Sequence, residues 1–309
     1  MNEETEKEHR KENAAIAKAH VGVLFTNIFF AGNYSVVKSI SPAFIGPAAL
    51  NVVRAAIAVV LFWTVWLFGK TGAGIQRRHR GRFLLCGLSG VCINQLLFIK
   101  GLTLTTTIHA ALLILVTPIA VTLFALWILK ERFTLAKALG MALGIGGATF
   151  LILQREASQH ATNYLLGDVL IVINAIAYSI YFILVKPLMK EYSTLHVTRW
   201  VFTLGFLMLL PFGWTQTAAI RWGAFGWQQV AALLYVSVLG TFLAYFFNAY
   251  GLRKLGASVT GAYIYTQPVF AVLIAILFLN EEITWQKVLA ALLIFTGVFL
   301  VNLKKKTVA

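Results

Sequence analysis

The sequence predicts an all-α polytopic membrane protein with ten transmembrane helices, arranged as two inverted five-helix repeats around a central cavity. Its composition, its ten apolar runs and an internal duplication support this fold class. Of the 309 residues, 59% are apolar and only 12% are charged, whereas soluble domains carry about 25% charged residues. The mean hydropathy is +0.80. This composition is typical of a chain that resides in a lipid bilayer.

Ten apolar runs are each long enough to cross a bilayer, which requires about 20 apolar residues per helix. Residues 1–19 contain charges of both signs and no apolar core, so they are predicted to be a cytoplasmic tail and not a signal peptide. Residues 304–309 form a second, basic cytoplasmic tail. The runs leave no room for a soluble domain, and they comprise roughly residues 20–40, 46–69, 81–101, 107–129, 134–154, 166–187, 194–214, 227–250, 257–279 and 284–303.

The lysines and arginines predict the orientation of the spans. With the N-terminus inside, 19 of the 26 basic residues fall on the inner side, 5 on the outer side and 2 within spans. The positive-inside rule therefore places both termini in the cytoplasm. The net charge of +15 lies in short hydrophilic segments and does not form a binding stripe. We therefore expect the lipid bilayer, and no nucleic acid, as a partner.

An internal repeat relates the two halves of the chain. Residues 101–152 align with residues 251–302 without a gap and share 13 identities in 52 positions, including Pro118 with Pro268. The repeat unit contains about 150 residues and five apolar runs, and five is an odd number. The second half must therefore cross the bilayer in the opposite direction to the first. The predicted repeats span residues 20–154 and 155–303.

A family resemblance follows from these motifs. The segments "P…KERFTLAKALGMALGIGGATFLI" and "P…NEEITWQKVLAALLIFTGVFLVN", with Arg54 and Arg199 early in the second span of each half, resemble the EamA family of the drug/metabolite transporter superfamily. The resemblance covers residues 20–303. It implies ten helices around a central cavity, residence in a bacterial inner membrane, and export of amino acids or other small metabolites. The shared motif is structural, so it does not select a substrate.

The duplication and the resemblance predict a secondary transporter. Inverted repeats convert an inward-open cavity into an outward-open one by exchanging their conformations, so we expect export of a small polar molecule by alternating access. The alternative is an intramembrane lipid-handling protein or an enzyme. An enzyme requires clustered acid, base or metal-binding groups, but the acidic residues are scattered and no HExxH or GxSxG motif occurs. No enzymatic activity, metal or cofactor is expected.

Polar residues recur at helical spacing on four apolar spans, which predicts the lining of a cavity for a polar substrate. The same residues also serve to hydrogen-bond neighbouring helices without touching a ligand, and both interpretations stay open. The fourth span has mostly apolar counterparts of the ninth-span residues, so we expect an asymmetric lining. The predicted substrate-binding residues are Asn27, Tyr34 and Lys38 on the first span, Asn174, Tyr178 and Tyr181 on the sixth, Tyr245 and Asn248 on the eighth, and Thr260, Tyr263 and Gln267 on the ninth.

Two prolines are predicted to bend their spans. Pro118 in the fourth span and Pro268 in the ninth lack an N–H and crowd the carbonyl one turn earlier. The functional interpretation is a pair of gating elbows. The alternative is a pair of static kinks that only shape the packing.

A turn that recurs in the repeat follows each of these spans. Thr134 and Thr284 are suitable N-caps for the fifth and tenth helices, and Glu131 and Glu281 precede them. We favour a structural turn for each glutamate over a role in ion coupling. All eleven acidic residues lie in the tail, in loops or near helix ends, which argues against a proton relay at the bilayer midplane.

Three further features have two interpretations each. Arg54 and Arg199 are charges within apolar spans, and we favour anchoring by snorkelling to the membrane surface over a functional role. His109 is favoured as a hydrogen-bonded boundary residue over a proton relay. Gly140 and Gly144 form a GxxxG pattern for close helix packing, either within one chain, which we favour, or in a homodimer.

Overall fold

A computed structural model describes residues 3–69, 72, 74–128, 134–153 and 162–302. Over these ranges the regular secondary structure is entirely helical. In the described part of the chain, nine helices are long and apolar enough to cross a membrane, and a tenth apolar helix, Trp285–Val301, is shorter. The predicted all-α membrane fold is therefore confirmed.

The helices follow the predicted spans closely. The first helix, Glu3–Ile40, includes most of the segment predicted as a tail and continues into the first span without a break. The remaining spans have the following bounds: Pro47–Leu67, Arg77–Leu104, Thr107–Leu113 with Val116–Ile128, Leu135–Leu153, Tyr164–Glu191, Thr194–Ala218, Trp227–Gly256, Val259–Leu279 and Trp285–Asn302.

Local irregularities recur at equivalent places in the two halves. The third span contains a π-helical segment at Leu88–Ile93, and the eighth span contains one at Tyr235–Leu243. The repeat offset of 150 residues superposes these two segments. π-Helical segments inside α-helices are frequent at functional sites. Gly256 separates the eighth and ninth spans at a positive φ of 79°, a conformation that glycine adopts without a steric cost.

The predicted N-caps of the fifth and tenth helices are confirmed. The hydroxyl of Thr134 accepts a hydrogen bond from the backbone N–H of Lys137 at 3.3 Å, and that of Thr284 accepts one from Lys287 at 3.4 Å. Each bond satisfies one of the N–H groups that the first turn of a helix leaves without a partner. Glu131 lies outside the described residues.

Glycines bring the fifth span against the tenth, which is its equivalent in the second half. A Cβ atom at Gly140 would lie 2.5 Å from the carbonyl oxygen of Gly297, and a Cβ atom at Gly297 would lie 2.8 Å from the Cα of Gly144. The GxxxG pattern is therefore used for packing within the chain, as favoured from the sequence. The two halves meet here through the same surface of each repeat.

Arg199 joins the seventh span to the second. Its guanidinium carbon lies 4.5 Å from the ring centroid of Trp63, 4.4 Å from that of Trp66 and 5.8 Å from that of Trp200. Nη2 also donates to the carbonyl of Gly72 at 3.3 Å. Aromatic faces attract a cation by about 0.5–2 kcal/mol each. Arg199 is therefore held between helices, which agrees with the favoured structural role, but it is fully buried and not exposed at the surface as snorkelling implies.

We expect Gly140→Ala to destabilise the protein by about 1–3 kcal/mol, because the new methyl group collides with the backbone of the tenth span. Thermal unfolding of the purified protein in detergent measures the loss. Gly146→Ala is the matched control on the same helix, since nothing lies within 4 Å of its added Cβ. Equal melting temperatures for the two variants would contradict the described packing.

We expect Arg199→Gln to lower thermal stability by about 2 kcal/mol, because it removes the cation from between three indole rings. Arg199→Lys should retain only part of the stability, since an ammonium group does not stack on the rings as a planar guanidinium does. Arg221→Gln, at an exposed loop position, is the control. Wild-type melting of both Arg199 variants would exclude a structural role for this cluster.

Candidate functional site

Both prolines predicted to bend their spans follow a break in the helix. The fourth span is interrupted at Ile114–Leu115, between Thr107–Leu113 and Val116–Ile128. The ninth span passes through a short 3₁₀ turn at Tyr263–Tyr265 before its second helix. A proline leaves the carbonyl four residues earlier without its usual partner, and in both spans that carbonyl lies in the break. Both helices are therefore interrupted at the predicted places, and the role of these breaks in gating stays a prediction.

A cavity opens beside these two breaks, in the centre of the bundle. Its lining comes from both repeats and from seven of the ten spans. It contains six side-chain amides, three tyrosines, two phenylalanines, two isoleucines, two threonines, an arginine and a glycine. The lining residues are Thr26, Asn27, Phe30, Asn33, Tyr34, Arg54, Asn94, Phe98, Ile114, Thr117, Asn174, Tyr178, Gly240, Tyr245, Asn248, Ile264 and Gln267.

Seven of the eleven substrate-binding residues predicted from the sequence line this cavity. They come from all four spans on which the polar pattern was found, so those helices do turn one polar face towards a common space. Binding of a substrate by these side chains stays a prediction. The seven residues are Asn27, Tyr34, Asn174, Tyr178, Tyr245, Asn248 and Gln267.

The two other predicted residues of the ninth span lie away from the cavity. Thr260 is buried beside Gly251, and the hydroxyl of Tyr263 lies 2.9 Å from Nδ1 of His20. Their spacing places them on the same face as Gln267 only if the ninth span is one regular α-helix. The 3₁₀ turn at Tyr263–Tyr265 changes the rotation per residue. The break therefore separates these residues from the face that carries Gln267.

Lys38 and Tyr181 also do not line the cavity. Nζ of Lys38 lies 3.9 Å from Oε1 of Glu281, nearer the end of the bundle. The ring of Tyr181 stacks on Tyr178 and packs so closely against Gly90 that a Cβ there would lie 2.5 Å from it. Each residue belongs to a polar stripe that extends beyond the cavity. At that position the side chain contacts another part of the protein instead of the cavity.

Hydrogen bonds between spans hold the cavity wall in place. The amide of Gln267 donates to the hydroxyl of Tyr34 at 2.9 Å, and the amide of Asn248 donates to that of Tyr178 at 2.7 Å. These side chains therefore fulfil both roles that the sequence left open. They bridge two helices, and they line the cavity.

The third span contributes a second group of contacts to the wall. Asn174 donates to the backbone carbonyl of Asn94 at 2.6 Å, and the hydroxyl of Tyr245 donates to Oδ1 of Asn94 at 3.2 Å. Asn94 directly follows the π-helical segment of this span. The sequence pattern did not identify Asn94, because no second polar residue forms a stripe with it on this span. Its partners lie on the sixth and eighth spans.

Arg54 is a cavity residue that was interpreted as an anchor. It is 3% exposed, and its Nε donates to Oε1 of Gln95 at 3.1 Å. Its Nη1 is buried and has no hydrogen-bond partner in the part of the chain that the structure describes. The expected snorkelling is therefore wrong for Arg54, whose guanidinium is directed into the bundle. A charge within an apolar span was the sequence signal for this position.

The two broken spans contribute equivalent positions to the lining. Ile114 and Ile264 both line the cavity, and so do Thr117 and Gln267. Each pair is related by the repeat offset of 150 residues. The expected asymmetry is therefore only partial, because the fourth span lines the cavity as well, with a smaller polar residue where the ninth carries an amide.

One end of the bundle is tied together by Glu281. Its carboxylate accepts hydrogen bonds from the backbone N–H groups of Thr107 at 2.9 Å and Ile108 at 3.0 Å, and it is 5% exposed. A helix N-terminus carries a partial positive charge that favours an anion. Glu281 belongs to the second repeat and caps a helix of the first. We call this contact the Glu281 latch, and Lys38 lies beside it.

The sequence did not predict the partner of Glu281. Its position before Thr284 indicated a local turn, but its side chain reaches a helix 174 residues earlier in the chain. A single sequence gives no direct signal for such a distant contact.

A second buried contact between the repeats lies near the latch. Nδ1 of His109 lies 2.8 Å from Oδ2 of Asp168, and the hydroxyl of Thr105 donates to the other carboxylate oxygen. His109 and Asp168 are both fully buried. His109 therefore has a hydrogen-bond partner, as favoured from the sequence, and the acid of the pair lies near the start of the sixth span.

Comparisons with known proteins agree with this architecture. The chain is 26% identical to an uncharacterized transporter of Archaeoglobus fulgidus over 293 residues, which cover 94% of this chain and 99% of the relative. It is 28% identical to a probable terminal-alkyne amino-acid exporter of Streptantibioticus cattleyicolor, with coverage of 83% and 84%. A WAT1-related protein of Arabidopsis thaliana is 22% identical, with coverage of 94% and 86%.

A solved crystal structure has the same fold. It superposes with a TM-score of 0.60 at 18% sequence identity, over 90% of this chain and 94% of that one. The model of the EamA-like transporter family matches the sequence twice, at residues 18–153 and 165–303. These two matches coincide with the two five-span halves, and together they include most of the chain. The protein belongs to the EamA-like transporter family.

Proposed function

We propose that the protein is a secondary transporter that exports a small polar metabolite by alternating access of its two inverted halves. The observation that carries this proposal is the central cavity, which combines six amides with apolar side chains and is lined at equivalent broken positions of both repeats. A small-molecule site is expected to be concave, with a few polar groups that orient the ligand. Transporters with inverted repeats bind their substrates near the bilayer midplane, between the repeats and at broken helices.

The relatives support a substrate among small metabolites. Several are named as transporters, and one is named as a probable amino-acid exporter. Amino acids are therefore the first class to test. No feature of the described cavity favours a lipid-handling protein or an enzyme over a transporter.

The proposed orientation places the protein in a bacterial inner membrane with both termini in the cytoplasm. The excess of basic residues on one side of the predicted spans supports it. The Glu281 latch then lies on the outer side. In this interpretation the latch closes the outer path to the cavity, and the structure represents a state in which substrate does not leave outward.

Opening of the outer path requires the latch to break. Glu281 would leave two backbone N–H groups of the fourth span without partners, and the favourable interaction with the helix N-terminus would be lost. Such an interaction is worth up to about 2 kcal/mol in partly buried sites. This is enough to bias a two-state equilibrium and small enough for thermal motion to overcome.

Counterflow in proteoliposomes tests the proposed function. Purified protein is reconstituted into vesicles that are loaded with one unlabelled amino acid, and uptake of the same labelled compound is followed from outside. We expect transient, saturable accumulation for at least one amino acid, because a carrier exchanges substrates across its two states. Linear uptake that never saturates would indicate a channel or a leak, and would contradict the proposal.

We expect Glu281→Gln to open the outer path more often. A cysteine placed at Ile114 on the cavity wall, with Cys86 and Cys92 replaced by alanine, reports this opening through its reaction with a membrane-impermeant thiol reagent added outside. Loss of an interaction of 1–2 kcal/mol corresponds to a change of about 5–30-fold in an equilibrium. We expect the reaction to accelerate by a factor in this range.

Glu282→Gln is the matched control for this experiment. Glu282 is adjacent in sequence and carries the same charge, but its side chain is exposed. Its replacement should leave the reaction rate unchanged. Equal rates in wild type and both variants would show that Glu281 does not control access.

A further inference from the structure

We infer that Arg54 binds a carboxylate group of the transported molecule. The cavity is then a site for small monocarboxylic acids with an aromatic or aliphatic side chain. This inference rests on the proposed transport function and specifies its substrate class. It is carried by the charge of the cavity wall, the hydrogen bonds of Arg54 and a comparison with the equivalent arginine of the other repeat.

The cavity wall carries one cation and no anion. Among the described residues that line it, Arg54 is the ionised side chain, and the other sixteen are amides, hydroxyls, apolar groups and a glycine. A buried charge is costly unless a counter-charge or several hydrogen bonds compensate it. An anionic ligand supplies this compensation within the cavity.

A hydrogen bond to Gln95 orients the guanidinium of Arg54 and leaves part of it available. Nε donates to Oε1 of Gln95, which sets the plane of the group. In the described chain, Nη1 has no partner. A guanidinium offers parallel N–H groups that match the two oxygens of a carboxylate. Gln95 thus acts as a positioning residue for a group that is directed at the substrate.

Arg199 shows how the fold surrounds an arginine that has a structural role with aromatic rings. The sequence repeat places it opposite Arg54, early in the corresponding span. Its guanidinium lies among three indole rings and donates to the carbonyl of Gly72. Arg54 is also buried, but within the described residues its guanidinium has no cation–π contact, and it borders the cavity instead. The two arginines therefore have different roles, although they occupy equivalent positions.

The rest of the wall defines the remainder of the ligand. Phe30, Phe98 and Ile114 offer apolar contacts to a side chain. Oδ1 of Asn33 and Oδ1 of Asn174 lack hydrogen-bond partners within the described residues, and both are acceptors for an amino or hydroxyl group.

A single cation favours a monoanion over a phosphate ester, which carries close to two charges at neutral pH. Lys38 is the nearest predicted alternative for a second cation, but it lies beside Glu281 and not on the cavity wall. The site therefore matches one carboxylate.

Four compounds that share a benzyl group test the inference with the wild-type protein. L-Phenylalanine and phenylpyruvate carry a carboxylate, whereas L-phenylalaninamide and 2-phenylethylamine do not. Each is loaded unlabelled into the vesicles and its own labelled form is added outside, as in the counterflow assay above, and a leucine series with the same four head groups provides a second side chain. We expect the acids to exchange at least tenfold better than the amide and the amine, because a charged hydrogen bond is lost.

The four compounds also separate the two sources of the carboxylate. Exchange of phenylalanine alone identifies a zwitterionic amino acid, and exchange of both acids identifies the carboxylate as sufficient. Exchange of the amide or the amine as well as the acids would overturn the inference while leaving a transporter. Absence of exchange for both series, in protein that performs counterflow of another amino acid, would overturn the inference and leave the transport function.

Variants of Arg54 provide an independent test. Arg54→Gln should raise the KM for the acids at least tenfold and remove the preference for them over the amide, whereas Arg54→Lys should retain part of the preference. Arg221→Gln, at an exposed position, is the control, and melting temperatures establish that each variant is folded. An unchanged KM for the acids in folded Arg54→Gln would overturn the inference.

Discussion

The structure depends on one constraint: inside a bilayer, each polar group must find its partner within the protein. The amides and hydroxyls of the spans therefore join helices, as Gln267 joins Tyr34 and Asn248 joins Tyr178. The same constraint explains why broken backbone borders the cavity, since irregular segments at this depth are tolerated where they line a cavity or are covered by protein. Among the described residues, a few polar atoms that lack a hydrogen-bond partner belong to side chains lining the cavity, and these are available to a ligand; Nη1 of Arg54 is the charged one.

The duplication supplies the scaffold, and local differences supply the chemistry. Both repeats place a proline after a break and a π-helical segment in the third span of the half. Both also place an arginine early in the second span, but three tryptophans surround Arg199 while Arg54 borders the cavity. A symmetric backbone is required for two exchangeable states, whereas an asymmetric wall is required to bind an asymmetric molecule.

The spans, the repeat and the helix caps were predictable because each produces a recognisable pattern in the sequence. A run of high hydropathy predicts a span, and Thr284 predicts the N-terminus of a helix. Polar periodicity also identified most of the cavity wall, since most spans are straight enough to keep one face. It failed at Tyr263, where the helix is broken, and it carried no information on Glu281, whose partner lies 174 residues away. The environment of Arg54 depends on three different spans. The sequence of its own helix therefore does not predict the direction in which its guanidinium points.

The central claim is that the two halves exchange conformations, and distances between the ends of the bundle test it most directly. Spin labels at Ser39 and Trp285 report the end that carries the Glu281 latch, and labels at Leu135 and Lys190 report the opposite end; all four positions are exposed. Pulsed electron spin resonance measures both distances with and without a transported substrate. We predict two populations for each pair, with the first distance lengthening as the second shortens. A single, substrate-independent distance for both pairs, in protein that performs counterflow, would contradict alternating access.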